Sequence, residues 1–162
     1  MKDDVDMGIL LIEPDVSFDD VKGLEEVKLS LRRVALSIKL SFEHPELFFF
    51  PIKRANILLY GPSGTGKTLL ALAMAKECGA KFILIDCGYL LNECTAFSCV
   101  RGEDRVKTVF SKAVKNAPCV IFFDGIDAIS LREGFKIDPI GSLTPARLQL
   151  MKELNEPRDG II

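Results

Sequence analysis

The sequence has almost no net charge, a single histidine and no long apolar run, and each of these absences excludes a class of function. Its 162 residues carry a formal net charge of −2, so no overall basic field exists to hold a nucleic acid or an anionic membrane surface. No apolar run approaches the ~20 residues that a membrane-spanning helix needs. Residues 1–6 are acidic where a signal peptide is basic. We therefore expect a cytoplasmic protein that spans no membrane and binds no nucleic acid.

The cysteines are poorly placed for a metal site. The five cysteines form no C-x-x-C pair, and the one histidine, His44, is distant from them in the sequence. Cys78, Cys87 and Cys119 adjoin apolar segments, which is typical of buried thiols in a reducing compartment. We expect free thiols and no zinc centre.

What the sequence does contain is a complete phosphate-loop pattern, G-x-x-x-x-G-K-[ST], over residues 61–68. The apolar run 55–60 before it predicts a strand, and the helix-forming residues 69–76 after it predict a helix. Glycines let successive N–H groups point into one concavity, and the following helix adds its positive N-terminal end. This order predicts a polyphosphate site. The predicted contact residues are Gly61, Pro62, Ser63, Gly64, Thr65, Gly66, Lys67, Thr68 and Leu69.

Three side chains have predicted roles in this site. Lys67 reaches the outer phosphates as a point charge, and the Thr68 hydroxyl is a ligand for Mg²⁺. Asp124 ends the apolar run 119–124, and a carboxylate at the end of such a strand is the usual acidic partner of a phosphate loop at the metal. The alternatives, a chance lysine after a glycine-rich turn and an aspartate that only caps a helix, explain each motif alone but not both together.

Alternating strand and helix patterns predict an α/β fold with a parallel sheet flanked by helices. Strands are predicted at 55–60, 81–86 and 119–124, and one more begins at Ile161. Residues 1–15 are predicted to be an arm or linker, and the aromatic residues 48–50 either cover the core or form a partner surface. Two further helices are expected to face the core with Leu24, Val27, Leu31, Val34, Ala35 and Ile38, and with Val106, Val109, Phe110, Ala113, Val114 and Ala117; a last helix is expected at 144–155.

Taken together, these motifs resemble the AAA family of ATPases, in particular its segregase, peroxisome-biogenesis and microtubule-severing modules. Residues 16–24 resemble the motif before the family's first helix, and 44–48 resemble its proline-containing connector. Residues 56–68 are similar to its strand and Walker A loop, and 120–127 are similar to its Walker B strand with D-E-x-D. The resemblance implies that 16–162 are part of the large α/β subdomain of a P-loop NTPase, incomplete at the C-terminus after the helix that follows the Walker B strand.

The same resemblance implies the ligands and partners. ATP and Mg²⁺ are the expected cofactors, with backbone at Val21 and Gly23 in contact with adenine, although Lys22 stands where the family has a first glycine. The expected partners are AAA subunits in a homo- or hetero-oligomeric ring, a hexamer by resemblance, and a protein substrate or adaptor.

The sequence departs from the family where the family carries its catalytic glutamate. That position is Gly125, which has no group to orient a water, and loss of a positioned base typically costs about 10²- to 10⁴-fold in rate. The substrate-gripping segment 97–103 is also spaced differently, and the family's arginine fingers would lie beyond Ile162. We therefore assign no catalytic residue and predict a module that binds Mg-ATP with impaired hydrolysis. The alternative is an active ATP-hydrolysing unfoldase or segregase of which this chain is a fragment.

Overall fold

A computed structural model describes residues 9–47, 55–91, 101–129, 145–156 and 160–162. The strands are β1 (Ile9–Ile12), β2 (Lys81–Asp86) and β3 (Cys119–Asp124). The helices are α1 (Glu25–Glu43), α2 (Lys67–Cys78), α3 (Cys87–Leu91), α4 (Gly102–Lys115) and α5 (Pro145–Asn155), with 3₁₀ turns at Pro45–Leu47 and Ile126–Ile129.

The sheet has the strand order β1-β2-β3, and a parallel bridge joins Ile161 to Cys119 of β3. The Ile162 N–H donates to the Cys119 carbonyl at 2.9 Å, and the Ile121 N–H donates to the Ile162 carbonyl at 2.8 Å. The segment at Ile161 thus pairs with β3, as a strand beginning there requires. Helices between β2 and β3 complete the mixed α/β architecture, which confirms the predicted fold class.

The segment 55–60 does not form the predicted strand. Leu58 is 69% exposed and Tyr60 is 90% exposed, and no described strand pairs with this segment. A strand depends on a neighbour for its N–H and C=O groups, and apolar composition alone does not supply one. The strand prediction was wrong for the chain as the structure describes it.

β1 lies within the predicted arm, where the sequence analysis expected no strand. Four residues pair beside β2, with Ile9 buried and Leu10 and Leu11 exposed. A run this short has too few residues to show a clear alternation of buried and exposed side chains. The tertiary pairing, and not the local pattern, makes this segment a strand.

The chain divides into two compact units, each described by itself. The first comprises Met1–Leu10, Leu84–Lys112 and Phe123–Glu156, and the second comprises Leu11–Ile83, Ala113–Phe122 and Pro157–Ile162. In the first unit α4 begins close to α5, because a Cβ added at Gly102 would lie 2.8 Å from the Ala146 Cβ.

In the second unit α1 packs along α2, and the Cys78 thiol of α2 lies 3.7 Å from the Ala35 carbonyl oxygen of α1. The rings of Phe82 and Phe122 stack with centroids 5.9 Å apart. These contacts bury the apolar faces that the helix and strand patterns predicted.

Most of the predicted core positions are confirmed. The buried ones are Leu31, Ala35, Ile38, Val106, Val109, Phe110 and Ala113, and Val34 is half-buried. Leu24, Val27, Val114 and Ala117 are exposed instead. Leu24 precedes the first helical turn with a φ of 59°, so it does not share the register of the α1 core face. Val114 and Ala117 lie at or beyond the last turn of α4, where the buried face ends.

Several predictions fall outside the described residues: the aromatic residues 48–50, Cys94, Phe97, Cys99 and the loop 130–143. Of the helices in the described ranges, none combines the length and the apolar character needed to cross a bilayer.

Candidate functional site

The phosphate loop leads directly into α2, whose first residue is Lys67. Gly64 has a φ of +80° and Gly66 a φ of +87°, a left-handed conformation that costs a residue with a Cβ ~1–2 kcal/mol. The Gly66 carbonyl accepts a hydrogen bond from the Leu70 N–H at 2.9 Å, which starts the helix. Glycine is required at both positions because the chain must turn this tightly just before α2.

The loop presents backbone donors. Among the described residues, no backbone carbonyl accepts a hydrogen bond from the N–H groups of Gly64, Thr65 or Gly66. The first N–H groups of a helix also lack partners within that helix, and they carry its positive dipole end. The loop and the start of α2 therefore form an arrangement that suits an anion with several oxygens.

Lys67 is folded over this loop. Its ammonium donates to the Gly61 carbonyl at 3.0 Å and to the Pro62 carbonyl at 2.7 Å, and the Thr65 hydroxyl donates to the same Pro62 carbonyl at 2.9 Å. The carbonyl acceptors are neutral, whereas a phosphate oxygen is anionic and attracts the ammonium through its charge as well. A phosphate oxygen is thus a better partner for the ammonium than these carbonyls.

The donor set fits magnesium held jointly with a polyphosphate. In the part of the chain that the structure describes, no group of three or more His, Cys, Asp or Glu side chains can hold a metal by itself. Mg²⁺ usually takes one or two protein oxygens together with substrate phosphates and waters. Thr68, in the first turn of α2, can supply such an oxygen beside the anion site.

The end of β3 supplies a carboxylate and then no side chain. Asp124 is the last residue of β3 and is exposed, and Gly125 follows with a φ of +68°. A Cβ built at Gly125 would meet nothing within 4 Å, so the position has room for a side chain but a backbone that disfavours one. Position 125, where the resemblance implies a glutamate, therefore has no side chain, and its backbone has the left-handed conformation that favours glycine.

Sequence reasoning missed the charge that gathers around Cys87. The pKa of the Cys87 thiol is raised to about 12, first by burial and then by the negative charges of Asp86, Asp124 and Asp127. Asp86 is the last residue of β2, Asp124 is the last residue of β3, and Asp127 lies in the 3₁₀ turn after β3. The available signal was that two strands both end in aspartate. Burial, with these carboxylates, keeps Cys87 a protonated thiol.

The three described cysteines, Cys78, Cys87 and Cys119, are buried free thiols, as expected. Burial raises the pKa of Cys78 and that of Cys119 to about 11. None of them is an activated nucleophile, because a thiolate is the reactive form.

The segment before α1 is anchored on two helices. The Arg32 guanidinium lies 5.4 Å from the Phe18 ring centroid and contacts Asp19 at 2.5 Å. The Lys76 ammonium of α2 donates to the Asp15 carbonyl. The segment that the resemblance assigns to adenine is therefore fixed to α1 and to the helix that begins at the phosphate loop.

The predicted site residues are distributed over both units. The second unit contains the phosphate loop with Thr68 and Leu69, and also buried Val21 and exposed Gly23. The first unit contains Asp124 and Gly125. The shared magnesium site of Thr68 and Asp124 therefore stays a prediction.

Comparison with known proteins adds an independent finding. A family model described as "ATPase family associated with various cellular activities (AAA)" matches residues 57–159. The chain is 41% identical over 142 residues to the peroxisomal ATPase PEX6 of Homo sapiens and 43% identical over 143 residues to that of Schizosaccharomyces pombe. Each match covers 88% of this chain but 14% of the relative, so the chain spans about a seventh of their length. A solved structure, the FIGL-1 AAA domain, matches 95% of this chain and 48% of its own with a TM-score of 0.67 and 28% identity.

Proposed function

Because the chain belongs to the AAA family of ATPases, we propose that it is a module that binds Mg-ATP through residues 61–69 and hydrolyses it slowly or not at all. The observation that carries the binding half is the loop geometry, in which left-handed Gly64 and Gly66 open backbone donors beside the Lys67 ammonium. The observation that carries the second half is Gly125, the residue that follows β3, which has no side chain to act as a base.

In this proposal each loop residue has a role in holding the triphosphate. Lys67 exchanges the carbonyls of Gly61 and Pro62 for the outer phosphate oxygens, and the N–H groups of the loop surround the inner phosphates. Thr68 and Asp124 would hold the metal. A bound Mg²⁺ neutralises the charge that develops on the transferred phosphoryl group. Val21 and Gly23 would contact the adenine.

Holding ATP needs only opposite charge and donors, whereas attack by water needs that water positioned and polarised. The first requirement is met by residues of the loop, and the second lacks the usual side chain at 125. We therefore favour a nucleotide that serves as a structural ligand. The peroxisomal relatives are named as ATPases, which favours the alternative that the parent protein is a hydrolase with another group as base.

We further propose that the module works in the cytoplasm as one subunit of a ring of AAA modules, acting on a protein substrate or through an adaptor. Family membership supports this assembly. Sedimentation of the full chain with and without ATP tests it: a shift to a larger species that needs Lys67 is expected. A monomer under both conditions would contradict ring formation by this chain alone.

The test of the catalytic half separates binding from turnover. ATP affinity and steady-state phosphate release are measured on the full chain, on Gly125→Glu and on Lys67→Ala as the blank. We expect the native chain to bind ATP with little phosphate release, and Gly125→Glu to raise the rate by about 10²-fold. Lys67-dependent hydrolysis by the native chain, equal to that of Gly125→Glu, would show that another group is the base.

The left-handed backbone at Gly125 calls for a matched variant. Gly125→Gln places a side chain of the same length on the same strained backbone but without a base. A rate increase in Gly125→Glu but not in Gly125→Gln assigns the increase to the carboxylate. Equal rates in the two variants would show that the increase does not depend on a base at position 125.

A further inference from the structure

Lys28 of α1 differs from most surface lysines because its side chain is largely buried against the protein. Its side chain is 12% exposed, and its ammonium donates to the Val21 carbonyl at 3.0 Å and pairs with Glu25 at 2.7 Å. Lysine normally keeps its charged end in water. Here the side chain folds back toward the start of the helix, and its ammonium donates a hydrogen bond to the Val21 carbonyl in the turn before α1.

The same residue holds the other end of that turn. The Lys28 backbone N–H donates to the Leu24 carbonyl at 2.9 Å, so main chain and side chain together bracket residues 21–24. Between the two attachment points, Gly23 has a φ of 67° and Leu24 a φ of 59°. Lys28 therefore spans two consecutive residues in the left-handed conformation.

Leu24 carries most of the conformational cost. It is the one non-glycine residue with a positive φ in the part of the chain that the structure describes, and its side chain is 43% exposed. A left-handed residue with a Cβ costs ~1–2 kcal/mol and persists only where surrounding contacts hold it. Since Leu24 is not buried, the hydrogen bonds of Lys28 supply such contacts.

The first half of the segment is held separately. The Ser17 hydroxyl and N–H both donate to the Asp20 carboxylate, at 2.6 and 2.8 Å, and the Val21 N–H donates to the Phe18 carbonyl at 3.3 Å. The N–H and C=O of Val21 are thus both engaged inside the protein. Lys22 and Gly23 make no backbone hydrogen bond to another described residue, so their groups are presented outward.

We infer that Lys28 is a positioning residue for the nucleobase. It engages the Val21 carbonyl and holds the 21–24 turn, so that the turn meets the adenine edge with the backbone of Gly23 and of its neighbour Lys22 in place of the Val21 backbone. The inference rests on the proposed function, because adenine contact at this turn is part of that proposal. A base is recognised here by backbone geometry, and that geometry depends on an ammonium that does not itself touch the nucleotide.

The test separates the base from the phosphates by using two ligands. Calorimetric affinities for ATP and for inorganic tripolyphosphate are measured on the full chain, Lys28→Met, Lys67→Ala and the control Lys152→Met, which replaces an exposed lysine of α5. Loss of one charged hydrogen bond predicts about tenfold weaker ATP binding in Lys28→Met, with tripolyphosphate affinity unchanged. Lys67→Ala weakens both ligands, and Lys152→Met weakens neither.

These outcomes separate failure of the inference from failure of the proposed function. Equal weakening of ATP and tripolyphosphate in Lys28→Met, or weakening of neither, would overturn the positioning role while Lys67→Ala still supported the phosphate site. Native protein that binds neither ligand, or that binds both without needing Lys67, would overturn the proposed function itself.

A second variant guards against a purely structural effect of Lys28→Met. Glycine adopts the left-handed conformation without strain, so Leu24→Gly relieves the cost that Lys28 offsets. We expect Leu24→Gly combined with Lys28→Met to recover part of the lost ATP affinity and the lost stability. A double variant that binds ATP no better than Lys28→Met would overturn the link between Lys28 and the turn.

Discussion

The phosphate loop and the end of β3 both rely on glycines in the left-handed conformation, yet the two regions are opposite in chemistry. In the loop, Gly64 and Gly66 remove side chains so that backbone donors and the Lys67 ammonium can approach an anion. After β3, Gly125 has no side chain at the position where the resemblance implies the catalytic glutamate. In the proposed function, the lack of a side chain opens a binding site in one region and leaves the other without a base.

The difference shows that ground-state binding and catalysis are separable demands. A polyphosphate is held by many donors, and each of them contributes part of the affinity. In a phosphate loop most of these donors are backbone N–H groups. Water activation depends on one group in one place. On this basis the proposed function attributes slow turnover to Gly125 and ATP binding to Lys67 and Thr68.

The largest effect is expected at the ammonium of the loop. Lys67→Ala removes a charge-assisted contact to the phosphates and should weaken ATP binding by about 1.5–3 kcal/mol. Calorimetry on the full chain measures it, with Lys152→Ala as a control for loss of an exposed lysine. Unchanged affinity in Lys67→Ala would mean that the loop is not the phosphate site.

The comparison of the two glycine regions is sharpened by matched substitutions to alanine. Gly64→Ala and Gly125→Ala each force a Cβ onto a left-handed backbone, at φ values of +80° and +68°, and a Cβ at either position would meet nothing within 4 Å. Each should therefore lower the free energy of unfolding by about 1 kcal/mol through conformation alone. Urea denaturation measures this loss of stability.

Only the substitution in the phosphate loop should also change the affinity for ATP. We expect Gly64→Ala to weaken ATP binding because it disturbs the loop donors, and Gly125→Ala to leave affinity unchanged. Asparagine tolerates the left-handed region better than alanine, so Gly125→Asn should be less destabilising than Gly125→Ala. Equal losses of affinity in Gly64→Ala and Gly125→Ala would remove the contrast between the two regions.

The smallest effect concerns the charge near the end of β3. The pKa of Cys87 is raised to about 12, mainly by burial and also by three carboxylates, of which Asp124 is one. Asp124→Asn removes a negative charge that opposes ionisation, so the pKa of Cys87 should fall. The rate of Cys87 alkylation as a function of pH, measured on the folded native protein and on folded Asp124→Asn, detects this change.

Cys78 is the internal control for that measurement. Its pKa of about 11 reflects burial first and then Glu77, and Asp124 is not among its causes. The alkylation profile of Cys78 should therefore be the same in both proteins. An equal shift at both thiols would indicate a general loosening of the fold and not a local charge effect.

Much of the fold could be predicted from local pattern. The helix α2 and the strands β2 and β3 appear where the apolar runs and the glycine and proline signals placed them, and Ile161 pairs with β3. Their signals are local because a helix face repeats within one turn and a buried strand is a continuous apolar run. The helices α1 and α4 were also expected, although the outermost residues predicted for their core faces are exposed.

The errors occur where pairing or packing overrides pattern. The apolar run 55–60 lacks a described strand partner and is not a strand, while the short run in β1 has one and is a strand. Leu24 and Val27 continue the helical spacing but lie beside the turn that starts α1, so they are exposed. In each case a contact outside the local window decided the outcome.

By itself, the sequence determined the phosphate-loop pattern with Lys67 and Thr68 in it and the lack of a side chain at Gly125. These are properties of consecutive residues, and the freedom of glycine is local to its own backbone. Only the tertiary structure decided that Lys76 anchors Asp15, that three carboxylates act on Cys87 and that the Lys28 ammonium holds the Val21 carbonyl. Those contacts depend on which helices pack, where strands end and which way a flexible side chain turns, and periodicity specifies none of the three.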